Sequence, residues 1–357
     1  MIRIFFSVLL FFFSITSFGQ GVGIPSKTGG IGFGNLPRFS GIRFNFADKR
    51  VNRISGINVT VWQTKQDSLQ TGAMTGVSLG LPLAMGTDSR TGITIGALGA
   101  GARSQMKGIN VGGLGVGAGG DVKGINVGGL GVGTGGDLKG INIGGLGAGS
   151  GGSVTGINFG GLGIGAGDDL SGFTIGGLGA GAGDDVKGII IGGLGVGAGG
   201  DVKGLSISGV GLGAGGTLKG INIAGIGLGA GGGVSGLAIA ALGVASPRLK
   251  AIVIAPAAAA VEVKGLMITP AYLQVGSKNS KWEKGGVSDA TFKGISISAY
   301  NNIRGEQKGL TVGVFNFAET QKGLQLGLLN YVKDNPRGLR LLPLFNMRFG
   351  KRQTTTD

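Results

Sequence analysis

The chain repeats a short pattern of apolar and polar positions, seen most clearly in KGINVGGLGVGTGGDL at residues 123–138. Ile125 and Val127 alternate with Asn126 and Gly128, and this two-residue period is that of a β-strand. We expect the apolar pair to face the interior and the Asn–Gly pair to face outward. The pattern therefore predicts a short strand with Ile125 and Val127 in the core.

After two adjacent glycines the alternation continues with the opposite parity. Leu130, Val132 and Thr134 share one face, so a bend at the glycine pair lets both halves of the unit direct apolar side chains inward. A second bend is expected at residues 135–137, because glycine and aspartate suit turn geometry. Two short strands and two turns then form one coil of a flattened β-solenoid, whose neighbouring coils hydrogen-bond in parallel about 4.8 Å apart.

A glycine opens each unit, and successive opening glycines lie sixteen residues apart without insertion or deletion. They are Gly76, Gly92, Gly108, Gly124, Gly140, Gly156, Gly172, Gly188, Gly204, Gly220 and Gly236. A fixed period of this size is typical of a stacked repeat array. Glycine at this density also disfavours helix, since each glycine costs about 0.5–1 kcal/mol relative to alanine there.

Stacking would align equivalent positions of successive units into columns. The expected inward columns are Ile109, Ile125, Ile141, Ile157, Phe173 and Ile189; Val111, Val127, Ile143, Phe159, Ile175 and Ile191; and Leu114, Leu130, Leu146, Leu162, Leu178 and Leu194. On the outer face we expect an amide ladder of Asn110, Asn126, Asn142 and Asn158. At the turn, an aspartate column beside a lysine column is expected to offset the repulsion between stacked like charges.

Composition divides the chain into five segments. The predicted divisions are a signal peptide at 1–19, an entry segment with the first strands at 20–75, the regular array at 76–246, degenerate and more aromatic repeats with a C-terminal cap at 247–350, and a tail at 351–357. The signal is inferred from Arg3 ahead of an apolar run that is short for a membrane span. In the degenerate region the unit returns with a fourteen-residue step from Lys308 to Lys322.

Charge and composition limit the chemistry. The chain has no cysteine and no histidine, which excludes disulfides, Ser-His-Asp and Cys-His catalytic sets and the usual zinc ligands. The net charge of +15 favours envelope or surface partners such as anionic polysaccharide or lipid. Nucleic acid is not expected, because the aromatic residues are not interleaved with basic ones. Self-association is an open alternative, since stacked strands end in open edges.

Few residues are candidates for a specific site. Gly211, Gly213 and Gly216 match GxGxxG, but glycine-rich repeats produce this spacing by themselves, and no strand-to-helix context accompanies it. Oxygen ligands suit calcium, which makes four turn carboxylates metal candidates: Asp168, Asp169, Asp184 and Asp185. We prefer to interpret them as solvated turn residues. We predict no catalytic residue, cofactor or defined small-molecule ligand, and conclude that the chain is not an enzyme.

Two sequence segments near the C-terminal end resemble segments of a known protein family. They are GLQLGLLNY at residues 323–331 and DNPRGLRLLPLFN at residues 334–346, and they accompany units such as KGINVGGLGVGAGGDVKGI at residues 107–125. Together these segments resemble the bacterial surface repeat-containing proteins of Gram-negative cell envelopes. The resemblance implies export and a cell-surface or outer-membrane location. It brings no catalytic motif with it.

Two architectures compete for the all-β fold that these patterns predict. We favour the solenoid with two short strands per sixteen-residue coil, which suits a non-enzymatic surface protein with a structural or adhesive role. The alternative is an outer-membrane β-barrel, acting as a pore or transporter, in which each repeat supplies one strand. The aromatic residue Phe349, at the end of the expected strand at residues 339–349, favours the barrel. The parity change at the paired glycines argues against the barrel, because a membrane-spanning strand needs an unbroken row of apolar side chains that face the lipid.

Overall fold

The computed structural model describes residues 21–62, 72–276 and 290–348. The expected signal peptide (1–19) and tail (351–357) lie outside these ranges. The described chain consists largely of β-strands, with a 3-10 turn at Arg337–Leu339 and no α-helix in those ranges. Two compact units are present, Met1–Gly167 and Asp168–Asp357, and each is described by itself.

The first unit begins with a hairpin, continues with two eight-residue strands, and then alternates long and short strands. Its strands are β1 (Val22–Ser26), β2 (Gly29–Phe33), β3 (Arg38–Asn45), β4 (Arg53–Thr60), β5 (Ala73–Gly80), β6 (Leu83–Ala84), β7 (Ser89–Gly96), β8 (Gly99–Ala102), β9 (Gln105–Gly112), β10 (Gly115–Ala118), β11 (Val122–Gly128), β12 (Gly131–Thr134), β13 (Leu138–Gly144), β14 (Gly147–Ser150), β15 (Val154–Gly160) and β16 (Gly163–Ala166). β1 and β2 are antiparallel, and β2 to β5 pair in parallel in chain order.

From β5 onward each strand of the first unit pairs in parallel with the strand two places along the chain. Gly124 of β11 lies opposite Gly140 of β13, so the register is sixteen residues. This is the β-solenoid that the repeat predicts, with two strands per coil. The opening-glycine column extends back through Gly56 to Gly41, ahead of the first regular repeat.

The second unit has the same alternation of long and short strands as far as residue 297, and it ends with strands of 22, 9 and 7 residues. Its strands are β17 (Leu170–Gly176), β18 (Gly179–Ala182), β19 (Val186–Gly192), β20 (Gly195–Ala198), β21 (Val202–Ser208), β22 (Gly211–Ala214), β23 (Thr217–Ala224), β24 (Gly227–Ala230), β25 (Gly233–Ala240), β26 (Gly243–Ala245), β27 (Arg248–Ile254), β28 (Ala257–Ala260), β29 (Glu262–Ile268), β30 (Tyr272–Val275), β31 (Thr291–Ile297), β32 (Tyr300–Gln321), β33 (Leu324–Val332) and β34 (Leu341–Met347).

Parallel stacking continues through the irregular region of the second unit. The register shortens there, and Leu310 pairs with Leu324, which is the predicted fourteen-residue step. The last coil strand, β33, is covered by β34, which runs antiparallel to it. The irregular repeats are therefore coils of the same solenoid rather than a separate fold.

The structure reverses the expected interior and exterior of the long strand. Val122 and Asn126 have no exposed surface, whereas Ile125 is 41% exposed and Leu130, at the bend, is 51% exposed. Val132 of the short strand is 3% exposed and lies inside, as expected. The prediction of inward Ile, Val and Leu columns is wrong, because every member listed above is exposed or half-exposed. The prediction of an outer asparagine ladder is wrong as well, since those amides lie inside.

Buried asparagine is accommodated because stacked amides satisfy one another. Asn110 Nδ2 donates to Asn126 Oδ1 at 2.8 Å, Asn126 to Asn142 at 2.8 Å, and Asn142 to Asn158 at 2.7 Å. A buried polar group with a good partner costs little, and the ladder provides that partner from Asn110 to Asn158. In the second unit the equivalent column includes Ile190, which has no exposed surface and confirms that this is a core column.

The coil bends tightly at its paired glycines. A Cβ added to Gly128 would lie 1.9 Å from the carbonyl oxygen of Gly131, because these two residues flank the bend between β11 and β12. The interior is filled by one aliphatic and one amide column from the long strand and one aliphatic column from the short strand. It holds side chains as large as Leu138 and Leu170, so size alone does not place the isoleucine and leucine columns outside.

Candidate functional surfaces

The outward side of the long strands, together with the apolar residue of the following turn, forms a surface that we call the aliphatic face. It repeats coil after coil rather than being scattered. In the first unit its most exposed members are Ile31, Phe33, Ile42, Phe44, Phe46, Ile57, Val61, Trp62, Leu81, Ile93, Ile95, Leu98, Ile109, Leu114, Ile125, Leu130, Ile141, Ile143, Leu146, Ile157, Phe159 and Leu162. Repeated exposure of large apolar side chains marks an interaction surface.

Aromatic residues are concentrated at the N-terminal end of this face. Phe33 stacks on Phe44 with ring centroids 5.7 Å apart, and Phe46 stacks on Trp62 at 6.2 Å. Phe46 is 67% exposed and Trp62 is 56% exposed. Indole combines a large apolar body with a polar N–H group, which suits a boundary between apolar and aqueous surroundings.

Cations border the aromatic end of the face. Arg38 lies on the same outward side of β3 as Ile42 and Phe44, and Arg53 occupies the matching position of β4. Lys49 and Arg50, in the connection between these strands, are exposed. In the described ranges none of these four cations forms an ion pair, so their charge faces solvent.

The second unit carries an aliphatic face of its own. Its most exposed members are Leu178, Ile189, Leu194, Val210, Ile221, Ile226, Leu242, Ile252, Ile254, Ile295, Ile297, Val314, Leu326 and Leu328. Near its C-terminal end this face contains an apolar groove of about 470 Å³, lined by residues that include Ile297, Val312 and Leu326. An exposed aliphatic face is therefore present in both units.

The outward side of the short strands is different in character. In the regular coils it is formed by glycines such as Gly131 and Gly133 of β12, so the backbone itself is the surface. We call this the glycine face. Each coil therefore presents an aliphatic side and a bare side.

A buried polar cluster closes the first coils, and sequence reasoning did not find it. Arg43 pairs with Asp48 and donates to Asn58 Oδ1 at 2.8 Å, while Thr60 donates to Asp48 Oδ2 at 2.9 Å. Arg90 lies 3.9 Å from the same carboxylate, and burial lowers its pKa to about 10. These groups satisfy one another and are enclosed by the chain, so the cluster is structural.

The aspartate and lysine columns lie along the turn edge of the coils, as expected. Lys123 pairs with Asp121 at 2.7 Å, and Lys203 contacts Asp185 at 3.2 Å and Asp201 at 3.0 Å. Asp185 Oδ1 also accepts the backbone N–H of Asp201 at 2.8 Å, which links one coil to the next. This hydrogen bond, with those from Lys187 and Lys203, lowers the pKa of Asp185 to about 2.

The hydrogen bonds and ion pairs of Asp185 on this edge predict that the chain loses stability in acid. The folded pKa of Asp185 lies below its ordinary value of 3.8, so its stabilising contribution is complete above about pH 4 and disappears as pH falls through about 2. We expect the thermal midpoint of Asp185→Asn to fall less steeply between pH 4 and pH 2 than that of the wild type. Asp184→Asn removes the same charge from an exposed neighbouring position and serves as the control. Equal slopes for wild type and Asp185→Asn would contradict the assignment.

The four calcium candidates are placed on this edge. Asp168 and Asp184 are exposed, whereas Asp169 accepts the backbone N–H of Asp185 at 3.0 Å and lies 3.6 Å from Lys187. Two of the four carboxylates are thus engaged by lysine and backbone. Within the described residues, no group of three or more acidic, histidine or cysteine side chains is gathered closely enough to hold a metal ion.

These features define a glycine-rich repeat protein of the β-solenoid class. No family model, curated protein or solved structure matches the chain. Among the described residues, no helix has the length and apolar character needed to cross a membrane.

Proposed function

We propose that this chain is a non-enzymatic, exported repeat protein of the bacterial cell envelope, with a structural role at a lipid surface. The observation that carries the proposal is the aliphatic face, which exposes large apolar side chains in coil after coil. Water contact over so regular an apolar surface is costly, at about 25 cal/mol for each Å² that could be buried. The predicted signal peptide and the resemblance to envelope surface repeat proteins support the location.

A lipid surface fits the N-terminal end of the face better than a second copy of the chain does. Trp62 and Phe46 are exposed beside aliphatic side chains, and Arg38 and Arg53 border them on the same side. Amphipathic surfaces of this composition bind at the headgroup boundary, where apolar burial and attraction to anionic lipid add together. Two such faces brought together would place unneutralised cations of both copies near one another.

The solenoid backbone suits a structural role. Each coil is held to the next by continuous parallel strand pairing and, in the regular coils, by the aspartate edge. With the aliphatic face on lipid, the glycine face is directed away from it. This arrangement makes each unit a stiff layer on the lipid surface rather than a catalyst.

Vesicle co-sedimentation tests the proposal. We expect the mature chain to bind phosphatidylcholine vesicles that contain phosphatidylglycerol, and the double variant Phe46→Ser/Trp62→Ser to bind them at least about tenfold more weakly. The variant Arg38→Gln/Arg53→Gln should lose the preference for anionic vesicles and the dependence on salt. All four side chains are exposed, so circular dichroism should show the wild-type fold.

Two results would overturn the proposal. The first is an absence of vesicle binding by the folded wild-type chain. The second is a dimer in light scattering that Phe46→Ser/Trp62→Ser dissociates, without any vesicle binding, which would assign the face to self-association. Asp184→Asn, on the turn edge, is the control and should bind as the wild type does.

A further inference from the structure

The outward side of the short strands changes at the C-terminal end of the second unit. Strand register places the following residues in line along it: Gly227 and Gly229, Gly243 and Ala245, Ala257 and Ala259, Tyr272 and Gln274, Tyr300 and Asn302, and then Phe315 and Phe317 beside Leu329 and Tyr331. The preceding coils stack with glycine or alanine at these positions. The fold therefore does not require large side chains there, and their presence needs another explanation.

The aromatic rings in this region contact one another in two rows. Tyr272 and Tyr300 have ring centroids 5.3 Å apart, and Tyr300 and Phe315 are 5.1 Å apart, in tilted pairs. Phe317 and Tyr331 are stacked at 5.5 Å with an angle of 4° between their planes. All five rings are half-exposed, so they form an ordered apolar platform on the outside of the coils.

Charged residues lie beside the platform and form a groove with it. The groove has a volume of about 490 Å³ and is lined by Arg304, Lys333, Arg340 and Glu319 together with rings of the platform. Three cations against one carboxylate leave a net charge of +2. Arg304 lies 6.0 Å from the centre of the Phe317 ring, and Lys333 lies 3.6 Å from Glu319.

Neutral hydrogen-bonding groups continue the platform toward the earlier coils. The Tyr272 hydroxyl donates to Gln274 Oε1 and accepts from Asn302 Nδ2 at 2.9 Å. Gln274 Nε2 donates to the carbonyl oxygen of Gly276 at 2.8 Å. Aromatic rings, side-chain amides and cationic groups thus lie next to one another along the direction in which the coils stack.

We propose that this groove binds an acidic oligosaccharide, one built from sugars that carry a carboxylate. Its cations provide charge-assisted hydrogen bonds to the carboxylate, and guanidinium groups match carboxylate geometry. The rings provide apolar contact for the carbon faces of the sugar, and their positively polarised edges favour nearby anionic oxygens. A concave site with an apolar lining and a few placed polar groups is the usual form of a ligand site.

The groove is independent of the lipid contact proposed above. It lies on the short-strand side of the coils, whereas the aliphatic face lies on the long-strand side. A second unit resting on lipid through its own aliphatic face therefore keeps this groove accessible. The two proposals rest on different residues and can fail separately.

Titration calorimetry with an oligomer of galacturonic acid tests the site, and the matching oligomer of galactose tests whether the carboxylate is needed. We expect binding of the acidic oligomer only. Arg304→Gln and Lys333→Gln should each weaken it about tenfold, the range of one charge-assisted hydrogen bond. Glu319→Gln should tighten it, because it removes the carboxylate that repels the ligand and holds Lys333.

Controls separate this site from general charge attraction and from folding defects. Lys219→Gln removes the same charge from the aspartate–lysine edge and should leave the affinity unchanged. Tyr331→Leu removes a ring at a half-exposed position, opposite Leu341 of β34, and should weaken binding while the circular dichroism spectrum is retained. The proposal is overturned if the acidic oligomer does not bind. Equal binding of both oligomers, or an equal loss in Lys219→Gln, also overturns it. Dependence of anionic vesicle binding on Arg304 and Lys333, without sugar binding, would assign the groove to lipid instead.

Discussion

Gly124→Ala is expected to disrupt its coil and to lower the free energy of unfolding by on the order of 3 kcal/mol. Gly124 has a φ of +117°, which side chains rarely adopt, and its added Cβ would lie 2.0 Å from the carbonyl oxygen of Gly108 in the preceding coil. Both atoms belong to backbone that is fixed by strand pairing, so neither can move away. The strict recurrence of the opening glycine has this physical cause.

Gly133→Ala, in the same coil, is the matched control. A Cβ at Gly133 meets no atom within 4 Å, and its φ lies outside the left-handed region. We expect this variant to be unchanged or up to about 1 kcal/mol more stable, since alanine restricts the unfolded chain. Urea unfolding followed by circular dichroism compares the two. Similar losses in both variants would show that the opening glycine is not special.

Val122→Asp is expected to destabilise the chain by about 3–5 kcal/mol, whereas Ile125→Asp is expected to change stability by less than about 1 kcal/mol. Val122 has no exposed surface, so the substitution buries an unpaired carboxylate and loses an apolar contact with both neighbouring coils. Ile125 is 41% exposed, and a carboxylate there remains hydrated. Thermal unfolding of the two variants measures the difference.

The reverse order would contradict the arrangement described here. If Ile125→Asp unfolds the chain and Val122→Asp does not, the isoleucine column forms the core. A second readout comes from the vesicle experiment, in which Ile125→Asp should weaken lipid binding although the fold is retained. Stability and lipid binding therefore separate the interior column from the surface column.

Much of the architecture could be predicted from the sequence because a fixed period is a strong constraint. The sixteen-residue step predicted the parallel register of Gly124 with Gly140, and the parity change at Gly128 predicted two strands per coil. The fourteen-residue step predicted the pairing of Leu310 with Leu324. These inferences depend on period and parity alone, and both are visible without knowing which side is buried.

The choice of the buried side could not be made by the rule that apolar residues lie inside. That rule fails here because amides repeated at one position can satisfy one another. Two signals in the sequence point to the correct side. An apolar residue precedes each opening Lys-Gly pair, as Val122 and Leu138 do, and it has the parity of the asparagine column. That column also contains Ile190, where the ladder pattern is interrupted.

The candidate binding groove could be predicted from the sequence only in part. Phe317 and Tyr331 are one fourteen-residue step apart, so the repeat aligns them, but Arg304 lies thirteen residues before Phe317 and its spacing does not assign it to the same site. The shortened coils bring them together, because registers of fourteen and fifteen residues stack the rings and place the Arg304 guanidinium over the Phe317 ring of the next coil. Irregular repeats therefore carry the specific chemistry, while the regular repeats provide the scaffold.

Cysteine reactivity at two adjacent positions tests the central claim most directly, since the chain has no cysteine of its own. Ile125→Cys and Asn126→Cys would each be treated with a maleimide reagent under native conditions and again in urea. The arrangement described here predicts rapid native labelling of Ile125→Cys, and labelling of Asn126→Cys only after unfolding. Rapid native labelling of Asn126→Cys with protection of Ile125→Cys would show that the asparagine ladder lies outside and the isoleucine column inside.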